Sequence, residues 1–280
     1  MRLEDWTEDV IHFQKSAAEY TGYFEALAQA VRPHLSGRRR LCDAGCGMGY
    51  LGAALARDFD VVDAVDRNPR AVAAACSMVG ERGLTNVRPR VGDVMGTVAE
   101  TTSADLPKPY DAMVFCAVAP LEEALRAAVR RCEGTVVVIN RFDPAPSTFA
   151  EWQRAEREPL RGRNHLKGEN YLILQEALRL RGIPFHAEVL DLEFGQPLAD
   201  LEEARRFFGL YRTLDFPDGV SDEALTSQLD RGRAPWRYYL PKRRQMGMFV
   251  IETKHLRGLF SEEEAACEAA SREGRVVPCR

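Results

Sequence analysis

Leu41–Gly52 reads LCDAGCGMGYLG, an apolar lead-in, an aspartate, and four glycines set around two cysteines. A strand that ends in such a run must turn sharply, because glycine enters the left-handed region at little steric cost and lets backbone approach a ligand closely. Two cofactor fingerprints compete for these residues. Gly47, Gly49 and Gly52 satisfy G-x-G-x-x-G, the dinucleotide pattern, but there the first glycine should end the strand directly. Here Gly45 does so, and counting from Gly45 places Tyr50 where the third glycine belongs. The dinucleotide register fails.

Working outward, the chain alternates between short apolar runs and helical patterns. A strand is expected at 39–44, a helix at 50–59, a strand at 61–65 and a helix at 69–82 closed by Gly83. A strand at 87–91, a short helix after Val94, a strand at 112–118, a helix at 121–131 and a strand at 135–140 continue the rhythm. Repeated βα units imply a parallel sheet covered by helices. Residues 5–35 read as a helical stretch capped by Thr7 and stopped by Pro33. Beyond Arg141 the alternation loosens. A helix at 169–180 and a strand at 185–192 are separated from the preceding units by a charged, proline-containing segment, and a second irregular stretch follows. Residues 236–252 read as a hairpin or as one edge strand with its lead-in.

Three further segments fall at the intervals such a fold requires. Asp66 closes VVDAVD 21 residues beyond Gly45, where an acid at a strand end can meet a ribose diol. Asp63, inside the same strand, reads as a partnered structural group. Val91-Gly92-Asp93-Val94 follows the third strand, and Tyr110-Asp111-Ala112 opens the fourth, which ends near Cys116. Together with Asp43-Ala44-Gly45-Cys46-Gly47-Met48-Gly49, these segments resemble the class I S-adenosylmethionine-dependent methyltransferases. The resemblance is clear over residues 39–140 and extends more loosely to about residue 253.

That resemblance implies an α/β, Rossmann-like and mostly parallel sheet of about seven strands with helices on both faces. It implies a helical cap over 1–38, a domain binding S-adenosylmethionine over 39–255 with insertions at about 142–165 and 194–235, and a tail over 256–280. The cofactor would lie against Asp43, Gly45, Cys46, Gly47, Gly49, Tyr50, Asp66, Arg67, Asp93, Val94 and Cys116. Adenosylmethionine carries no phosphate, so bare glycine backbone and well-placed acids matter more than a helix terminus aimed at a pyrophosphate. Asp93 would meet the adenine amine and Val94 would pack on its ring. Asp111 reads equally well as the cap of a neighbouring loop, and Arg67 as a solvated loop side chain.

The acceptor is bounded mainly by exclusion. The fourth strand ends in FCAVAP and lacks the Asn/Asp-Pro-Pro-aromatic signature used to methylate planar nitrogens of nucleic acids and glutamine. The net charge of −4 and pI of about 5.9 provide no global field for a polyanion. Ala112–Leu121, the longest apolar run, is too short to span a bilayer, and the acidic N-terminus does not resemble an export signal, so a cytoplasmic protein is expected. The odd cysteine count, seven, argues against a disulfide framework, and no metal site is expected from Cys42 and Cys46.

A small-molecule acceptor is therefore expected, with His165 in the first insertion as candidate base or plain surface histidine. Tyr20, Tyr171 and Tyr238 are candidates to line the acceptor site, among other residues of the N-terminal helix and insertions such as His12, Lys15, Tyr23, Trp236 and Tyr239. The window from Arg231 to Arg244 contains six basic and no acidic residues. It leaves open a methyltransferase acting on RNA or protein, and a partner subunit that binds the cofactor without transferring methyl also stays open. The oligomeric state is not set by the sequence, and a homodimer is allowed.

Overall fold

A computed structural model of the chain describes residues 6–35, 37–95, 109–118, 121–142, 169–211 and 221–258. In chain order the helices are α1 (Glu8–Thr21), α2 (Tyr23–Val31), α3 (Tyr50–Leu55), α4 (Pro69–Glu81), α5 (Leu121–Arg131), α6 (Glu169–Leu180), α7 (Leu201–Tyr211) and α8 (Asp222–Thr226). The strands are β1 (Arg40–Ala44), β2 (Val61–Asp66), β3 (Val87–Val91), β4 (Tyr110–Cys116), β5 (Cys132–Arg141), β6 (His186–Glu193), β7 (Gln196–Leu198), β8 (Asp230–Arg231), β9 (Tyr238–Leu240) and β10 (Arg243–Glu252).

Seven strands form one sheet in the order β3-β2-β1-β4-β5-β10-β6. The pairs β1 with β2, β1 with β4, β2 with β3 and β4 with β5 are parallel, whereas β10 runs antiparallel to both β5 and β6. The sheet is the mostly parallel, Rossmann-like one expected. The central strands β1, β2, β4 and β5 are mostly buried because both faces are covered, whereas the edge strand β3 (VRPRV) is largely not. Strand order switches sides at β1, with β2 and β3 laid down on one side and β4 and β5 on the other, leaving the carboxyl ends of β1, β2 and β4 around one crevice.

Side-chain alternation sorts the core into two layers. Met246, Met248 and Val250 join the cluster that holds α2 and α3, while Phe249 and Ile251, one residue out of phase, join the cluster under α5 and α6. A third, smaller cluster of Phe13, Leu198, Ala204, Phe208 and Leu225 ties α1 to α7, α8 and a separate three-stranded sheet, β7-β9-β8.

Local chemistry explains the boundaries. Thr7 accepts from Val10 N–H at the start of α1 as expected, and Asn68 accepts from Arg70 and Ala71 N–H with Pro69 in the first turn of α4. The helical stretch expected over 5–35 is two helices. Gly22, at φ 64°, ends α1 and begins α2, so the chain changes direction where one continuous stripe was read. Within the segment expected as a helical cap, Leu27, Ala28 and Val31 of α2 are fully buried with Leu41, Leu55 and Val62.

A second correction concerns residues 236–252. They form neither a hairpin nor a sheet edge. β10 lies between β5 and β6, which is the edge, and β9 leaves for the small sheet. The second insertion supplies β7, α7, α8 and β8. Most of the first insertion, the short helix expected after Val94 and the tail beyond residue 258 lie outside the described residues. No helix among the described residues is long and apolar enough to cross a membrane.

Candidate active site

The crevice at the switch point opens into a cavity of about 520 Å³, within the range of small-molecule sites. The turn after β1 builds its floor. Gly45 and Cys46 N–H both donate to Val65 O at 2.7 and 3.0 Å, fastening the turn to β2, and Gly49 N–H donates to Cys46 O at 2.8 Å. Gly45 and Gly47 lie at φ 68° and 54°. A side chain at Gly45 would collide with Val118, and one at Gly47 would press on the Trp6 ring, so both positions require bare backbone.

Acids stand at three strand ends. Asp66, closing β2, accepts from Gly47 N–H at 2.9 Å through one carboxylate oxygen and from Asn68 N–H at 2.8 Å through the other. With about four lone-pair sites on a carboxylate, two remain for a ligand, and the backbone bonds fix its direction. Asp93, beyond β3, accepts from Met95 N–H at 2.8 Å and stands 3.8 Å from the Arg67 guanidinium. Asp43, on β1, is buried and accepts from Gly52 N–H at 2.9 Å. Burial raises its carboxyl from 3.8 to about 7, the Gly52 N–H pulls the other way, and nearby Asp66 adds to the rise.

Of the residues expected at the cofactor, Asp43, Gly45, Cys46, Gly47 and Tyr50 line this cavity, as do Asp66, Arg67, Asp93, Val94 and Cys116. Gly49 does not. It begins α3 in the left-handed region and packs near Ala75 and Met78, so its role is helix seating. Gly52 is likewise a packing residue, because a methyl there would approach the Asp43 carboxylate to 2.9 Å. Asp63 is fully buried and partnered by Arg90 at 3.1 Å, the structural role expected for it. Asp111 caps the loop before β1, accepting from Arg39 and Arg40 N–H at 3.0 and 2.8 Å. The cysteines at 42 and 132 sit in the core.

The acceptor-side expectations fare differently. Tyr171 is not at the cavity. It packs between Phe142 and Phe249 and against Gly247, filling the α6 face of the sheet. Tyr20 stacks on Tyr239 and receives Arg233 N–H, and Tyr238 lies in the small sheet beneath Arg237, so neither lines the cavity. His165 lies outside the described residues. His12 is bonded to Glu203, and Lys15 pairs with Glu81 at 2.8 Å.

The lining also contains residues not singled out for the cofactor: Trp6, Gln14, Phe24 and Glu123, together with Tyr23 and Arg244. Burial pushes the Tyr23 hydroxyl well above its usual value while the Arg244 guanidinium draws it back, and burial likewise lifts the Cys116 thiol to about 12 with Asp43 adding to the rise. A signal for Arg244 was present. It lies two residues before buried Met246 in β10, so strand alternation turns it inward while Arg243 turns out to pair with Asp191 at 3.0 Å. Ala117, immediately after β4, is the one non-glycine residue with positive φ (56°) among the described residues, a conformation that concentrates at functional sites. The basic window is divided among different partners: Arg233 on Tyr20, Arg243 on Asp191 and Arg244 over Phe194.

Residues 41–134, from β1 into the start of β5, match the family model described as a methyltransferase domain. Solved structures similar to this chain include the YcgJ protein from Bacillus subtilis, at 14% identity, covering 82% of this chain and 98% of that chain with a TM-score of 0.47. Geranyl diphosphate C-methyltransferase from Streptomyces coelicolor aligns at 18% identity over 81% of this chain and 78% of its own, with a TM-score of 0.45. Precorrin 8w decarboxylase from Methanobacterium thermoautotrophicum aligns at 17% identity over 81% and 89%, with a TM-score of 0.43. No curated protein matches the sequence.

Proposed function

We propose that the chain is an S-adenosylmethionine-dependent methyltransferase acting on a small-molecule acceptor. The observation that carries this reading is the cavity at the switch point between β1 and β4, where bare glycine backbone faces carboxylates from three successive strand ends. The residues present fit that cofactor. Asp66 keeps acceptor sites for a ribose diol, Asp93 and Val94 line the same cavity and would meet an adenine edge and face, and Asp43 would offer negative charge to a cationic methionine moiety.

When bound, the cofactor supplies an electrophilic methyl on a sulfonium. The protein's share is to orient the partners in line and exclude water. Tyr23, Phe24 and Tyr50 form an aromatic wall for that purpose, with Tyr50 OH held 2.8 Å from Glu19. A proton-bearing acceptor would in addition require a base, the role for which His165 is put forward.

Calorimetry with adenosylmethionine, its demethylated product and NAD tests the cofactor, and tighter binding of NAD would overturn the reading. Turnover against a metabolite panel then separates an enzyme from a protein that only binds. Asp66→Ala is expected to weaken adenosylmethionine binding by about 1 to 3 kcal/mol, roughly 5- to 150-fold, through loss of charge-assisted hydrogen bonds. Because the Asp66 carboxylate also secures Gly47 N–H, both affinity and the order of the turn should suffer. Unchanged affinity would place the diol elsewhere.

A further inference from the structure

A second cavity, of about 210 Å³, lies between α1, α7 and the β9–β10 connection. Gln14 and Arg244 line it and the first cavity alike, so the two spaces meet at these side chains. Four phenylalanines, Phe13, Phe194, Phe207 and Phe208, contribute to its wall, with Phe13 and Phe207 edge to face at 5.1 Å. Two cations, Lys242 and Arg244, face the same space, and among the described residues no acidic side chain lines it. The Arg244 guanidinium carbon stands 4.0 Å from the Phe194 ring centroid, a placement that pre-organises its planar donors for an oxyanion.

We propose that this cavity is the acceptor subsite and that it selects a small aromatic molecule bearing one anionic group, a carboxylate or a phosphate. An aromatic-walled space below the ~300–1,000 Å³ of drug-sized sites suits one or two fused rings, too little for a folded peptide segment or an oligonucleotide. Apolar walls supply affinity by burial and the cations supply orientation, setting the anion against the face shared with the first cavity. The role of acceptor rests on the transfer chemistry proposed above. The preference for an aromatic anion rests on the walls of this cavity alone.

The test is calorimetry on the full chain with 1-naphthoate, 1-naphthyl phosphate and neutral 1-naphthalenemethanol, with and without S-adenosylhomocysteine. At least one anion should bind tenfold or more tightly than the alcohol, and which anion wins distinguishes carboxylate from phosphate. Lys242→Met should erase most of that preference. Gln228→Trp, at an exposed position on the rim, should block all three probes while leaving S-adenosylhomocysteine affinity unchanged. Equal binding of anion and alcohol, no binding of any probe, or undiminished binding in both variants would overturn the assignment. Anion binding that persists while S-adenosylhomocysteine fails to bind would instead sink the methyltransferase reading and leave the anionic aromatic site standing.

Discussion

A Gly45→Ala protein should bind adenosylmethionine more than a hundredfold more weakly than the wild type and lose about 2 to 4 kcal/mol of stability. Two effects combine. The residue lies at φ 68°, where a non-glycine side chain costs about 1 to 2 kcal/mol. The added methyl would also sit 2.2 and 2.6 Å from the two Val118 methyls and 2.9 Å from Val118 Cβ. Moving Val118 requires moving the backbone just after β4, not merely turning a rotamer, and overpacking of that kind adds about 1 to 3 kcal/mol. The displaced segment is the cavity wall formed by Cys116, Ala117 and Val118, so the damage falls on the binding site itself. Gly83→Ala is the control. It shares the left-handed conformation, at φ 62°, but has nothing within 4 Å, so it should show the backbone cost alone and bind normally. Denaturant unfolding and calorimetry on the pair separate backbone strain from collision. Affinity within threefold of wild type for Gly45→Ala would mean the turn does not approach the ligand.

Much of this site was legible because it is local. The turn, the acids at strand ends and their intervals all follow from chain positions within single βα units, which is why ten of the expected cofactor residues meet at one cavity. Gly49 does not line that cavity, and spacing alone cannot distinguish a glycine that faces a ligand from one that lets a helix seat against Ala75. The acceptor side was much less legible. Whether Tyr20 or Tyr23 turns toward the crevice depends on the break at Gly22 and on how α1 and α2 cross the sheet, which is tertiary information. The place of β10 inside the sheet is likewise set by pairing with β5 and β6, residues far away in sequence, and no local pattern encodes it. Arg244 could have been recovered by extending the alternation of Met246 and Met248 backwards, whereas Trp6 and Gln14 carried no comparable signal.

The buried acid at Asp43 should make both stability and cofactor affinity depend on pH, in opposite senses. In the unfolded chain its carboxyl ionises near the ordinary value of 3.8, whereas in the fold burial holds it protonated up to about 7. Between those limits the folded state binds more protons than the unfolded state, so this group's contribution to stability declines as pH rises from about 4 to about 7 and is level outside that window. At about 1.4 kcal/mol per unit, the full swing reaches about 4 kcal/mol. Asp43→Asn keeps an oxygen to accept from Gly52 N–H but removes the titration, so its stability relative to wild type should climb by up to that amount between pH 4 and pH 8. Denaturant midpoints across that range measure the difference, in which titrations common to the two proteins cancel. Binding runs the other way. A cationic ligand beside Asp43 favours the carboxylate, so wild-type affinity for adenosylmethionine should rise with pH up to about 7, with proton release below it, while Asp43→Asn should bind weakly and with a flatter profile. Asp43 thus costs the empty fold stability, and a cationic ligand offsets that cost. Parallel stability profiles for the two proteins would show that Asp43 ionises freely in the fold, and the charge pairing with the ligand would lose its basis.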